Sequence, residues 1–436
     1  MRDLWFTLPP AAQDLLAALL LLLPALVIAA ALLRGFAPGA MIRDMGRRFL
    51  FANVAFVALI ACAIAIGAGL LASERGLRAG TARAADPFDL IIAAPGSELT
   101  AMLAAVYLQP ADMPLLSGET YARIAADPAV ALAAPLAFGD SVGAAPVVGT
   151  TAGFAAHLSP ELAEGRLFAA HDEAVVGALA GFAPGDEIAP AHGVGDAADA
   201  HAHAGHEFQV VGRMARTGSP WDRAVLVPVE AIWEVHGLAN GHAPEAGDQL
   251  GPPFDAAYFP GTPAVLLRGE GLGATYQLLS RYGTEETMAF FPGAVLAQLQ
   301  ARLGDVRAAM SVMAVAAQVL VTLAVLLALA ILVRLFARAL ALLRALGAPG
   351  RFVAAVVWSY AVGLVVLGTA LGLALGLGSA AALSAVVTAR TDILVRASLG
   401  WPEVHMAAGF VSLTAVLALL PAWAALRREI VPELRA

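Results

Sequence analysis

The sequence contains no lysine: all 26 basic residues are arginine. A Walker A phosphate loop needs a lysine after its glycines, so this chain has none, and any ATP-driven work falls to another subunit. The single cysteine, Cys62, lies in an apolar run, which excludes an intrachain disulfide. Charged residues make up only 14% of the chain against 60% hydrophobic, with a mean hydropathy of +0.77. That balance is too apolar for a soluble chain, and part of its surface must face lipid. Enzyme signatures are also missing. There is no GxSxG nucleophile elbow, and His206-Glu207 cannot open an HExxH zinc motif because Val210 stands where the second histidine is needed. The acidic positions Gly118-Glu119 and Asp172-Glu173 read as ordinary surface pairs. The chain is expected to be a membrane subunit, not an enzyme.

Long apolar runs are abundant. Leu15 to Leu33 is an unbroken run of 19 residues, roughly 28 Å as a helix and enough for one crossing. Pro24 is positioned to kink it. A cleaved signal peptide is the competing reading, but the run is longer than the apolar core of such peptides and Arg2 is flanked by Asp3 and Asp14. Phe49 to Ala72, Ala308 to Val333, Phe352 to about Val387 and Met406 to Ala425 supply four more candidate spans. Asn53 interrupts the second, either bonding to a neighbouring helix or lying near the inner interface. The fourth repeats glycine at Gly368, Gly372 and Gly376, one face that a neighbouring helix can approach closely, within the chain or across a dimer. A break near Gly378-Ser379 is expected.

Between the second and third runs lie residues 73–307, with 27 acidic residues against 12 arginines, net −15. This acidic region repels nucleic acid phosphates. Its pattern changes every ten or so residues. Strands are expected over Phe88–Ala93, Val130–Phe138, Pro146–Thr150, Phe208–Val211, Ala224–Val229 and Ala264–Arg268, and helices over Ser97–Leu108, Ser117–Ala126, Leu272–Tyr282 and Pro292–Arg307. Trp221-Asp222-Arg223 reads as a structured turn leading into a strand. Outside this region, eleven arginines (34, 43, 47, 48, 334, 338, 344, 351, 427, 428 and 435) fall on one side of the runs, against Arg2, Arg390 and Arg396 on the other. Arginine favours the cytoplasmic side, so the expected topology is N-terminus out and C-terminus in.

The expected architecture is therefore an α-helical membrane protein of about five spans, with a large mixed α+β extracytoplasmic domain between spans two and three. Its parts are residues 1–48, an extra N-terminal span and basic loop; 49–72, a span; 73–307, the outer domain; 308–333, a span; 334–351, a cytoplasmic elbow; and 352–436, two spans and a tail. The elbow, RLFARALALLRALGAPGR, places Arg334, Arg338, Arg344 and Arg351 on a helix that stops at Gly347-Ala348-Pro349-Gly350.

One loop concentrates metal-binding chemistry. His192, His201, His203 and His206, with Asp196 and Asp199 between them, could capture zinc, copper or nickel loosely, or form a solvated low-complexity loop.

The arrangement resembles the permease subunits of MacB/FtsX-type ABC transporters, over about Met41 to Ala436. In that family the third-to-last span runs into a stretch like EIALLRALGA. Residues 339–348 here read ALALLRALGA, matching at Leu342, Leu343, Arg344, Ala345, Leu346, Gly347 and Ala348, with Ala339 in place of the glutamate. The tail PAWAALRREIVPELRA is also similar. The segments ADPFDLIIAAPGSE, APGDEI and TGSPWDRAVLVPVEAIWE resemble stand-alone permeases of systems linked to zinc and other metals.

The resemblance implies a multi-pass protein of the bacterial inner membrane, with a periplasmic domain. It implies a homodimer working with a cytoplasmic ATP-binding partner, which would hold ATP and Mg, and with a periplasmic partner in some systems. The expected ATPase-coupling residues are Arg334, Arg338, Arg344, Leu346 and Gly347, of which Arg344, Leu346 and Gly347 lie in the stretch that resembles the family. Lipoprotein or peptide export is an alternative substrate class. A membrane-anchored metal-sensing or scaffold protein without ATP coupling is the alternative function.

Overall fold

Helices dominate both ends of the chain in the computed structural model, which describes residues 7–192, 207–302, 304–335 and 337–427. Among the described residues four helices are long and apolar enough to cross a membrane: Pro10–Leu33, Leu50–Ala85, Gly350–Thr391 and Trp401–Ala424. The helix Gly304–Leu335, 32 residues, occupies the expected third run. The chain separates into two compact units, one within Met1–Leu77, Asp305–Ala385 and Arg396–Ala436, the other Arg78–Gly304 with Val386–Val395.

Two of the long helices differ from the sequence expectation. The second helix does not stop at Ala72 but continues to Ala85, because the charged residues from Glu74 onward are good helix formers and no glycine or proline cap ends it there. The helix Gly350–Thr391 is likewise unbroken at Gly378-Ser379. Ser379 spends its hydroxyl on the Gly376 carbonyl at 2.9 Å, inside the same helix.

In the helical unit the glycine face is in use. A Cβ on Gly368 would fall 2.8 Å from Ile60 Cβ, one on Gly372 2.6 Å from Ile64 Cβ, and one on Gly376 2.9 Å from the Ala65 carbonyl. The chain's own helix Leu50–Ala85 therefore fills that face. Asn53 is buried there; its Nδ2 donates to the Gly46 carbonyl at 3.0 Å, and its Oδ1 accepts from Tyr360 Oη. The N-terminal helix packs on the last long one. The Ala25 amide lies 3.3 Å from Ser412 Oγ, and His405 Nε2 lies 2.9 Å from the Asp14 carbonyl. Many leucines of Pro10–Leu33 stay exposed, as a lipid-facing helix requires.

The second unit is mixed α+β. Its strands are β1 (Leu90–Ala93), β2 (Val130–Pro135), β3 (Ala137–Val142), β4 (Ala145–Thr150), β5 (Leu162–Gly165) and β6 (Glu173–Val176). They continue as β7 (Glu187–Ile188), β8 (Ala191–His192), β9 (Phe208–Met214), β10 (Val225–Pro228), β11 (Ala264–Gly269) and β12 (Met288–Phe290). One antiparallel sheet has the order β12-β1-β11-β2; the larger has the order β5-β9-β6-β10-β4-β3-β8, with β7 on β9. The single strand expected over Val130–Phe138 is divided at Leu136, so that β2 belongs to the first sheet and β3 to the second. The short strands β5 to β8 were not expected. They are two to four residues long and alternate poorly, which leaves no periodic signal.

Helix starts follow their caps. Ser97 Oγ accepts from the Thr100 amide and Ser117 Oγ from the Thr120 amide, each at 3.3 Å, opening Glu98–Tyr107 and Gly118–Ala125. One core gathers Trp221, Phe88, Phe154 and Met102; another surrounds Tyr121, Trp233 and Phe259.

Candidate functional site

The TGSPWDR segment folds as a turn built around one carboxylate. Asp222 is fully buried. Its Oδ1 accepts from the Thr217 amide and the Thr217 hydroxyl, both at 2.7 Å, and its Oδ2 from the Gly218 amide at 2.9 Å. Three donors on a buried carboxylate satisfy it and hold the turn rigid. Pro220–Arg223 then form one turn of 3₁₀ helix leading into β10. Trp221 anchors the turn from inside, its indole N–H donating to the Val106 carbonyl at 3.2 Å and its ring lying against Phe88 and Phe154.

This turn holds the segment that follows the helix Gly350–Thr391. Arg223 forms an ion pair with Asp392, and the Leu394 amide donates to the Gly218 carbonyl at 3.0 Å. From the other side Arg83, near the end of Leu50–Ala85, donates to the Leu394 carbonyl at 3.3 Å, and a Cβ on Gly80 would lie 2.9 Å from that oxygen. Ile393 and Val395 are buried in the domain core. Burial pushes the Asp392 carboxyl above its usual range, against the opposing pull of Arg223. The ends of two long helices thus meet on one turn of the second unit. The sequence shows the WDR triplet, but Asp392 lies far along the chain and carries no local signal of the pairing.

The elbow is a helix, Ala337–Ala345, ended by paired bonds. The Gly347 amide donates to the Arg344 carbonyl at 3.1 Å and the Ala348 amide to the Leu343 carbonyl at 3.0 Å. This is the Schellman pattern, with Gly347 in the left-handed region at φ 95° and Pro349 beyond it. Leu340 and Ala341 are buried, whereas Arg338, Leu342 and Leu346, spaced by four, are exposed. Arg344 is half-buried. Arg334 lies in the helix Gly304–Leu335, its side chain outside the description. Arg351, expected as part of the elbow, donates instead to the Ala31 and Arg34 carbonyls and lies over the Phe36 ring, capping the C-terminal end of the first long helix.

The reading of Asp172-Glu173 as a surface pair is corrected at Glu173. This residue is buried and accepts from both Arg166 guanidinium nitrogens and from the Ala169 amide. Those bonds, Arg166 first, hold its carboxyl down at about 2. The reason is long-range: β6 lies inside the larger sheet. Glu230 is buried too, beside His242 Nε2 at 3.5 Å, and burial raises its carboxyl above the usual range. Of the histidine-rich loop, His192 ends β8 with its side chain outside the description, and His201, His203 and His206 lie outside the described residues.

Residues 57–249 match the family model described as MacB-like periplasmic core domain. The matched stretch includes residues 57–85 of the helix Leu50–Ala85, the strands β1 to β10 and the Asp222 turn. No curated protein matches the chain. The chain carries a MacB-like periplasmic core domain, and that match supports its assignment as a MacB/FtsX-type ABC transporter permease.

Proposed function

We propose that the chain is the membrane subunit of an ABC transporter in which a separate cytoplasmic ATPase moves the spans and, through them, the outer domain. In this reading five spans cross the bacterial inner membrane with the N-terminus out and the domain in the periplasm. Two copies work with two ATP-binding partners, and ATP and Mg reside on the partner. In this reading the part of the chain is mechanical: it transmits a movement of packed helices.

The observation that carries the reading is the exposed stripe Arg338, Leu342 and Leu346 on the elbow helix. Two leucines with an arginine on one face suit a protein partner better than water. The Asp222 turn supports the other end of the path, since Arg223 and Gly218 hold the segment after one long helix while Arg83 reaches it from another. Transport linked to zinc or another transition metal is part of the proposal, supported by the histidines that follow β8.

Co-purification from mild detergent, followed by an ATPase assay, tests this. A stoichiometric ATP-binding subunit is expected, with hydrolysis stimulated by this chain. Reversing the charge at both Arg338 and Arg344 is expected to abolish stimulation while membrane insertion continues. Unchanged stimulation would remove the elbow from the mechanism. An absent ATPase with zinc held by the outer domain would favour a sensor or scaffold.

A further inference from the structure

Residues 248 and 250–252, in the chain after the helix Val229–Val235, form part of the wall of a cavity of about 490 Å³ in the second unit. A space of that size takes a small organic molecule. Its charged lining is all of one sign. Glu230, 1% exposed, and Asp248, fully at the surface, are its charged side chains among the described residues, and no arginine or histidine lines it there.

Thr150 ends β4 and lines the same cavity, and its fully buried hydroxyl has no hydrogen-bond partner among the described residues. A buried hydroxyl without a partner is costly, and a ligand that bonds to it removes that cost. The fold brings it to Glu230. Thr150 stands opposite Pro228 in the parallel register of β4 and β10, and the helix that carries Glu230 starts directly after Pro228 and packs on β4.

Glu230 is held in place without being used up. Its Oε1 accepts from the Gly251 amide, and His242 Nε2 lies 3.5 Å from the same oxygen. A carboxylate has about four acceptor sites, so two contacts on one oxygen leave it able to accept again. A hydroxyl serves a ligand of either sign, but carboxylates repel an anion and receive a cation. Leu132, Phe168, Leu250 and Pro252 add an apolar wall. An ammonium group on an apolar body uses both parts of the lining, which a bare metal ion does not.

We infer that this cavity binds a small organic cation, a primary amine on an apolar body, whose ammonium group donates to Glu230 and to the Thr150 hydroxyl. Asp248 adds negative charge at the exposed part of the lining. The site requires neither an ATPase partner nor zinc, so its failure would leave the transporter reading untouched.

The test is calorimetric titration of the full-length protein in detergent, with phenethylamine as the probe, 3-phenylpropanoate as an anion of similar shape, and detergent alone as the blank. Wild type is expected to bind one amine per chain saturably and the carboxylate not at all. Thr150→Val replaces the hydroxyl by a methyl group and should weaken amine binding by at least roughly tenfold, the loss of a hydrogen bond to a charged group. Its melting temperature should hold or rise, because the free protein loses no bond. Glu230→Gln should weaken binding as well. Melting followed by tryptophan fluorescence shows whether each variant is folded, since Trp221 and Trp233 are buried in this unit. If Glu230→Gln fails to fold, because Glu230 also holds the Gly251 amide, Thr150→Val decides alone. Amine binding that excludes the carboxylate and is lost in folded Thr150→Val supports the site. Unchanged affinity in Thr150→Val, equal binding of the carboxylate, or no saturable binding by wild type overturns it.

Discussion

Arg223, at the end of the Asp222 turn, pairs with Asp392, the residue that follows the helix Gly350–Thr391. The contact joins the two stretches of sequence that make up the second unit, Arg78–Gly304 and Val386–Val395. Because Arg223 is 39% and Asp392 20% exposed at the side chain, the pair itself contributes about 1 kcal/mol or less. Its positional role is larger than its energy.

Arg223→Ala is expected to lower stability more at pH 7.5 than at pH 4. The Asp392 carboxyl is raised on folding. Its contribution is therefore complete at low pH and is lost as pH rises through the folded value. Removing Arg223 takes away the group that opposes that rise. Melting of the full-length protein, followed by tryptophan fluorescence at both pH values, checks this. An equal loss at both would show that the arginine acts by packing alone.

Glu173→Gln should destabilise the domain at neutral pH, with a cost that shrinks in acid. The folded carboxyl is held near 2 against an ordinary value of 4.5. That stabilisation is present above about 4.5 and is lost as pH falls toward 2. Melting curves of wild type and variant from pH 7 to pH 3 should converge. Parallel curves would mean that the Arg166 pairing contributes nothing through charge.

Gly372→Ala is expected to cost about 1–3 kcal/mol, because its Cβ would meet the Ala61 carbonyl, a backbone atom that cannot turn aside. Gly378→Ala is the control. Nothing lies within 4 Å of its Cβ, and alanine favours the helix there. Thermal stability in detergent should fall for the first and hold or rise for the second. A similar response from both would show that helix propensity, not close packing, governs this face.

Much of the architecture was legible because its causes are local. A span needs only a long enough apolar run, a helix start only a serine beside the amide it caps, and the end of the elbow only Gly347 before a proline. The strands Leu90–Ala93 and Ala264–Gly269 could be read from their apolar residues. The short strands between Leu162 and His192 could not, since each is defined by the neighbours it pairs with.

The candidate sites divide in the same way. The elbow stripe and the glycine face follow from helical spacing, which a linear chain displays directly. Asp392 against Arg223, Glu173 under Arg166 and Glu230 beside His242 join residues from separate elements, and no repeat or spacing in the chain announces them. Burial makes those pairings consequential: a charged group inside a sheet must meet a partner or lose its charge. Which partner it meets depends on how strands and helices pack, and that is a property of the folded chain alone.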